Sequence, residues 1–547
     1  MNETERKTSW VASITGLVIK TIAFLVMLAI PLLGVWSASS LAAYWNGPIA
    51  LTIVCGLLAF PVLPLAWDLW RERARATRER ASKGKPSPRI LTFVDRMILR
   101  TLVLDGLFLV VLFGAWPQAI FTALSTRGDW FLDHVEGAEG ARRTVLGLAD
   151  GMEWLYELAH ENPYASAEDE TDADVDDLTA GVVERTEGTS DTASTDPVAE
   201  DAGVADAGVA DAGTVDAAGI EDRAAIADAG AMEDAGGTTP AIETPSPVAV
   251  DHAATGAPRW PMQEQVHPAI AAMTVADERS IDSVGAYIRA HASTELDRAK
   301  AVHDYVATRV AYDVPALTGH RPPQDPDTVF RTHMGVCEGY ARLFHSLAGE
   351  AGLTSRYVVG DARNSGDPAE GEPHAWNAVQ IEGAWYLLDV TWDAGGVRGE
   401  TFEARYSTLY FLTPPDVFVV DHFPDRRGWQ LRAQPISRGE FHRQPILSPR
   451  FRAEGFQLVT PDRVQVETSG AFDATVQRPE EVFVIATFQP HGSRSQEDEE
   501  RCDVRGAREL RIHCSLATPG VYDVRLFSSR SEYGSYGFVG SFQAVRR

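Results

Sequence analysis

Residues 335–344 read GVCEGYARLF and residues 374–396 read HAWNAVQIEGAWYLLDVTWDAGG. Together they set Cys337, His374 and Asp389 in that order along the chain. A cysteine is nucleophilic as its thiolate, so it needs a base, and an imidazole base needs a carboxylate to fix its tautomer and stabilise the imidazolium. The order therefore points to an enzyme of the Cys-His-Asp kind. After Cys337, the residues Tyr340, Ala341, Phe344, Leu347 and Ala348 recur at helical spacing, with Gly349 and Gly352 placed to end the helix. Cys337 is thus expected at a helix N-terminus, where the dipole and free N–H groups lower a thiol pKa and supply part of an oxyanion hole. Gly335 and Gly339 are expected to leave room for a substrate backbone. A lone cysteine there would read as a small buried hydrophobe; the histidine and aspartate downstream decide for chemistry.

HAWNAVQI and AWYLLDVTWD read as two strands joined by the two-residue turn Glu382-Gly383. With Ile381 facing Ala384, Trp376 lies opposite Asp389 and Thr391 opposite His374. His374 and Asp389 are then diagonal neighbours about 7–8 Å apart, within side-chain reach. Asp393 is the other diagonal neighbour with the same parity, and spacing leaves both aspartates open, each also readable as a residue that bonds a turn. The same parity puts Trp376 and Trp385 on the His374 face and turns Trp392 away, and all three read as core rather than groove residues. His333 and Cys337 have the i, i+4 spacing of a metal pair, with His345 further on, but no CxxC or HExxH accompanies them and zinc would block the thiol. No metal and no cofactor is expected.

In GVCEGYARLF, HAWNAV and GAWYLLDVTWD the chain resembles the transglutaminase-like superfamily of papain-type folds. Residues 409–431, LYFLTPPDVFVVDHFPDRRGWQL, most resemble its kyphoscoliosis-peptidase-like branch. The resemblance runs from about Thr294 to Leu431. It implies an α+β papain-like domain in which Cys337 is the nucleophile, His374 the base and Asp389, rather than Asp393, the carboxylate. The glutamine expected six residues before a papain-like cysteine is absent, since Arg331 stands there, leaving Tyr312 and Gln324 as candidate oxyanion donors. The branch implies hydrolysis of peptide or glutaminyl amides through a thioester. The alternatives are a protein-crosslinking transglutaminase and a catalytically silent binding module at the cell envelope.

Outward from this core the composition changes twice. The formal charge of the 547 residues is -28, but residues 161–255 hold 24 Asp and Glu against two Arg, which makes -22 of it. With DAG recurring at 201, 206, 211 and 228 and almost no aromatics, residues 161–257 read as an acidic disordered linker, not a calcium site. The linker makes the folded part a mobile, tethered one. No basic face supports nucleic-acid binding. Upstream, residues 1–129 carry apolar runs at about 16–36, 48–67 and 101–124, each near the ~20 residues of a membrane-crossing helix. Residues 71–89 carry eight Lys or Arg and two acids, whereas 37–47 carry no charge, so the basic loop is expected in the cytoplasm and everything after about 125 outside it.

Residues 130–160 read as a juxtamembrane helix, 258–445 as the transglutaminase-like domain, and 446–547, with short alternating strands, as a β-sandwich. Cys502 and Cys514 bracket a hairpin there and would pair if exported, which leaves Cys337 as the free exported thiol. The expected partners are a protein or peptide substrate and, through the N-terminal helices, the membrane.

Overall fold

The computed structural model describes residues 3–82, 91–133, 135, 137–160, 162–165, 258–364, 371–479, 482–493 and 495–547. Apart from 162–165, the expected acidic linker lies outside the described residues, as do 83–89 of the basic loop.

Three helices, α1 (Glu3–Tyr44), α2 (Ile49–Ser82) and α3 (Phe93–Ala115), are long and apolar enough to cross a membrane. The third span differs from the expected 101–124. It starts where Thr92 accepts the Asp95 N–H and the Asp95 carboxylate returns a bond to the Thr92 N–H, and it stops before Pro117, whose missing N–H cannot continue the ladder. Residues 117–127 form a separate helix, α4, in which Ile120, Phe121, Ala123 and Leu124 are fully buried. What covers them is protein: α4 packs on α1 and on the helix Arg438–Arg443, and Phe121 meets the His442 ring edge-on at 6.2 Å.

Among the described residues the expected single juxtamembrane helix is broken into a 3-10 turn, Trp130–Leu132, and two α-helices, α5 (Glu139–Asp150) and α6 (Trp154–Glu157), and both α-helices face the folded domains. Asp150 pairs with Arg443 at 2.8 Å, Glu153 with Arg427, Arg127 with Glu467 at 2.8 Å, and Asp129 with Arg463 at 3.1 Å. Arg547 donates to the carbonyls of Ala43 and Gly47 in the α1–α2 connection. The expectation of a folded part held only by a mobile tether is therefore corrected: buried apolar surface and partly desolvated ion pairs seat it on residues 117–157.

In the central domain, α7 (Ile281–His291) and α8 (Glu295–Arg309) pack on α9 (Cys337–Glu350). Thr294 caps α8 by accepting the Asp297 N–H, and α9 ends at Gly352, whose φ of +74° suits glycine. Tyr340, Leu343, Phe344 and Leu347 of α9 are buried against a five-stranded antiparallel sheet. Its strands are β1 (Thr354–Ala362), β2 (Glu372–Ile381), β3 (Ala384–Leu388), β4 (Phe411–Thr413) and β5 (His422–Pro424), in the order β4-β3-β2-β1-β5. Alternation sets the two faces: Val379 and Ile381 join the helical core, while Trp376 and Ala378 pack with Phe418 and Trp429 on the other side. Beyond residue 445 two sheets share one apolar cluster, with Phe472 and Ile512 from one and Val524 and Phe542 from the other. Cys502 and Cys514 are joined by a disulfide.

Candidate active site

Cys337 opens α9 and is 2 % exposed. The turn that delivers it is held from behind by Gln324, whose Oε1 accepts the Val336 N–H at 2.9 Å while its Nε2 donates to the Pro322 carbonyl at 2.9 Å. A Cβ on Gly339 would lie 2.5 Å from that Oε1 and 2.9 Å from a Val329 methyl. The space left by Gly339 is thus taken by Gln324 and Val329, not reserved for a substrate. Gln324, a candidate oxyanion donor, is bonded to backbone on both sides and positions the nucleophile's turn. Tyr312, the other candidate, sits on a short strand paired with Met334–Gly335 and lines the cavity in front of the thiol.

The β2–β3 register is the expected one, with Ile381 opposite Ala384 and Asn377 opposite Leu388. The strand does not continue to Asp393, however. It ends at Leu388, and Asp389 caps a helical turn, Val390–Ala394, by accepting the N–H groups of Thr391 at 2.8 Å and Trp392 at 3.4 Å. The cap leaves Asp389 Oδ2 for His374, whose Nε2 is 2.8 Å away. His374 also neighbours Cys337, whose charge and bonding act on the imidazole, and both line one cavity. Asp393 is directed elsewhere: it lies 3.1 Å from His303 Nε2 and accepts the Tyr410 N–H. The helical turn also voids the parity argument for Trp392, which lines the cavity beside His374 at 5.6 Å between ring centroids. Trp376 is buried as expected, and Trp385 packs edge-on to Trp429.

Three residues that the sequence reading did not single out complete the arrangement. Asn377 donates to the Ala341 carbonyl of α9 at 3.0 Å and to the Arg356 carbonyl of β1 at 3.2 Å, which locks the cysteine helix to the histidine strand. His422 places Nε2 3.2 Å from Asp389 Oδ2 and Nδ1 2.7 Å from Asp421 Oδ1, and Tyr410 donates to Asp421 at 2.7 Å. Asp389 is thus held between two imidazoles and two backbone amides. The third is Tyr164, 7 % exposed, which packs with Cys337 and lines the cavity beside it. Asn377 lies inside HAWNAV and His422 inside PDVFVVDHF, both in stretches that carried the resemblance, whereas nothing in the sequence signalled Tyr164.

Burial of His374 opposes its charge, but the charges of Asp389 and Cys337 and its bonds to both hold its pKa up to about 10. Burial likewise opposes the Asp389 charge and is outweighed by His374 and His422, which keep the carboxyl well below its usual range. The site is therefore arranged to stabilise the imidazolium that His374 becomes on taking a proton from Cys337, with Asp389 as its carboxylate partner. In front of it lies a cavity of about 410 Å³, lined among others by Cys337, His374, Trp392, Tyr312, Phe402 and Tyr164.

Of the residues weighed for a metal, His333 bonds the Arg309 carbonyl and His345 bonds Ser355, so they do not converge on Cys337. Ligand atoms of His374, Asp389 and His422 do lie within 4.8 Å of one another. The same residues form the hydrogen-bonded run Asp421–His422–Asp389–His374, and an ion among them would take His374 from the thiol. His160, Asp361 and Asp425 also converge, where the Arg438 guanidinium already pairs with Asp361.

Residues 282–390, which hold all three expected site residues, match the model of the Transglutaminase-like superfamily. Among individual proteins, the chain is similar to human kyphoscoliosis peptidase, 32 % identical over 41 % of this chain and 36 % of that protein. It is also similar to Drosophila melanogaster Hillarin, 27 % identical over 24 % of this chain and 19 % of that one. The chain thus spans about a third or less of the length of these relatives. A solved structure titled as that of a TGase is 25 % identical over 25 % of this chain and 37 % of its own, with a TM-score of 0.19, too small an overlap to bear on the fold.

Proposed function

We propose that this chain is a membrane-anchored cysteine enzyme that hydrolyses peptide or glutaminyl amide bonds outside the cytoplasm. The observation that carries this reading is Cys337 at a helix N-terminus, beside a histidine whose Nε2 lies 2.8 Å from a buried, capped aspartate. In the proposed reaction His374 takes the thiol proton and the Cys337 sulfur attacks the amide carbon. The N–H groups at the start of α9 stabilise the oxyanion. The imidazolium gives its proton to the departing amine and a thioester remains. Water, deprotonated by His374, attacks the thioester; the acid leaves and the thiol is regenerated. Asp389 stays ionised throughout and stabilises the imidazolium.

Three observations support the location. The α1–α2 connection and the end of α3 lie on the side of the folded domains, whereas the basic residues 71–80 are at the far end of α2. Basic segments flanking spans favour the cytoplasmic side, and a structural disulfide fits an oxidising compartment. We read the two C-terminal sheets as a β-sandwich appended to the enzyme.

The test is incubation of the full chain, in micelles, with an envelope protein extract and a labelled primary amine. Cys337-dependent new peptide termini are expected. Amine incorporation lost in Cys337→Ala would instead mean acyl transfer to amines, and neither product would leave the silent binding module. For location, a reporter fused after Arg547 should be active only outside the cytoplasm.

A further inference from the structure

Tyr164 belongs to the short run Asn162–Ala165 that leads out of the membrane-proximal helices, yet its ring lies against Cys337 in the central domain. The ring shares an apolar cluster with Ala316, Val336, Ala341 and Ala375, small side chains that leave a slot for a flat group. The Arg321 guanidinium stands over the ring at 5.1 Å and reaches the phenol oxygen at 3.5 Å, and the ring packs in one cluster with Cys337. The segment is held on either side of the ring: Tyr357 donates its hydroxyl to the Tyr164 carbonyl at 3.0 Å, and the Asn162 side-chain amide donates to the Gly360 carbonyl of β1 at 2.9 Å. An apolar slot, a cation over it, a donor for a peptide carbonyl and an acceptor for an amide together are the features by which a groove recognises an extended peptide.

We propose that this slot is the groove's aromatic-residue subsite, and that the chain fills it with its own Tyr164. The substrate class that follows is a peptide presenting a tyrosine or phenylalanine beside the reacting amide. Asn162–Ala165 then acts as a self-ligand that covers the nucleophile until a substrate displaces it. The anchor of this self-ligand is α6, seated by Glu153 on Arg427 and by Tyr156 on Asp361 at 3.3 Å. The proposal deepens the peptide-hydrolase reading and rests on it for the word substrate, but the occupancy itself is tested without turnover.

The experiment measures the iodoacetamide alkylation rate of Cys337 in the full chain in micelles. Removing a self-ligand returns the fraction of sites it had closed, so Tyr164→Ala should raise the rate roughly tenfold or more. The peptide acetyl-Asn-Pro-Tyr-Ala-amide should then slow that variant back towards the wild-type rate, and acetyl-Asn-Pro-Ala-Ala-amide should not. Protection by the tyrosine peptide also separates an opened groove from an unfolded chain, whose thiol no peptide would shield. An unchanged or slower rate in Tyr164→Ala, a gain that the tyrosine peptide does not reverse, or equal protection by both peptides would overturn the proposal. Peptide protection without turnover of any substrate would keep the subsite and remove the hydrolase.

Discussion

At the residue scale the two aspartates of DVTWD separate by their partners. Asp389 meets His374 and caps a turn; Asp393 is buried between His303 and the Tyr410 amide. We expect Asp389→Asn to slow Cys337 alkylation at neutral pH. Asp393→Asn should leave the alkylation rate near wild type and lower the melting temperature, since it removes one of the two carboxylates on the buried His303, the other being Asp304 at 2.9 Å, a loss of about 1–3 kcal/mol. His422 acts on the thiol only through Asp389, so it is a positioning residue. His422→Gln should reduce the alkylation rate on the order of tenfold, as loss of such supporting bonds does elsewhere, and shift its pH profile; an unshifted profile would leave His422 a packing residue. The raised pKa of His374 also has a stability consequence. Its unfolded value is about 6.5 and its folded value about 10, so the stabilisation is fully present below about pH 6.5, declines as pH rises, and is gone above about 10. The melting-temperature gap between wild type and His374→Gln should shrink over that interval.

At the element scale, α9 and β2 are fixed to each other by contacts that periodicity does not encode. The apolar spacing after Cys337 and the Glu382-Gly383 hairpin were readable because helix and strand periods are local properties. The end of β3 at Leu388 was not, because the side chain of Asp389 competes with the ladder by capping the next two amides. Gly339 is similar: its reason is the amide of Gln324, brought to it by the fold. Gly339→Ala would force that amide or Val329 aside, and a cost of about 1–3 kcal/mol is expected in thermal melts of the full chain.

At the scale of the whole molecule, the folded domains sit on the helical region through α4, α5 and α6. Phe121→Glu would put an unpaired charge in that seam. We expect faster hydrogen exchange in residues 154–164, with protection of α9 unchanged; equal exchange in 154–164 would show that the seam does not hold those residues in place. The seam escaped the sequence because an apolar run such as 101–124 reads alike whether lipid or protein covers it.

What the sequence by itself determined is the set of reactive residue types and their order, the helix under Cys337, the hairpin register, and three runs apolar enough to span a membrane. Each depends on neighbours within a few turns or a strand pair. Spacing left both aspartates open and the resemblance pointed to Asp389; only the tertiary structure decided why, with Asp389 meeting His374 while Asp393 turns to His303, and that His422 backs the carboxylate and Tyr164 reaches Cys337. These are meetings of groups far apart in the chain, set by where buried side chains and capped turns come to rest, and no local period records them.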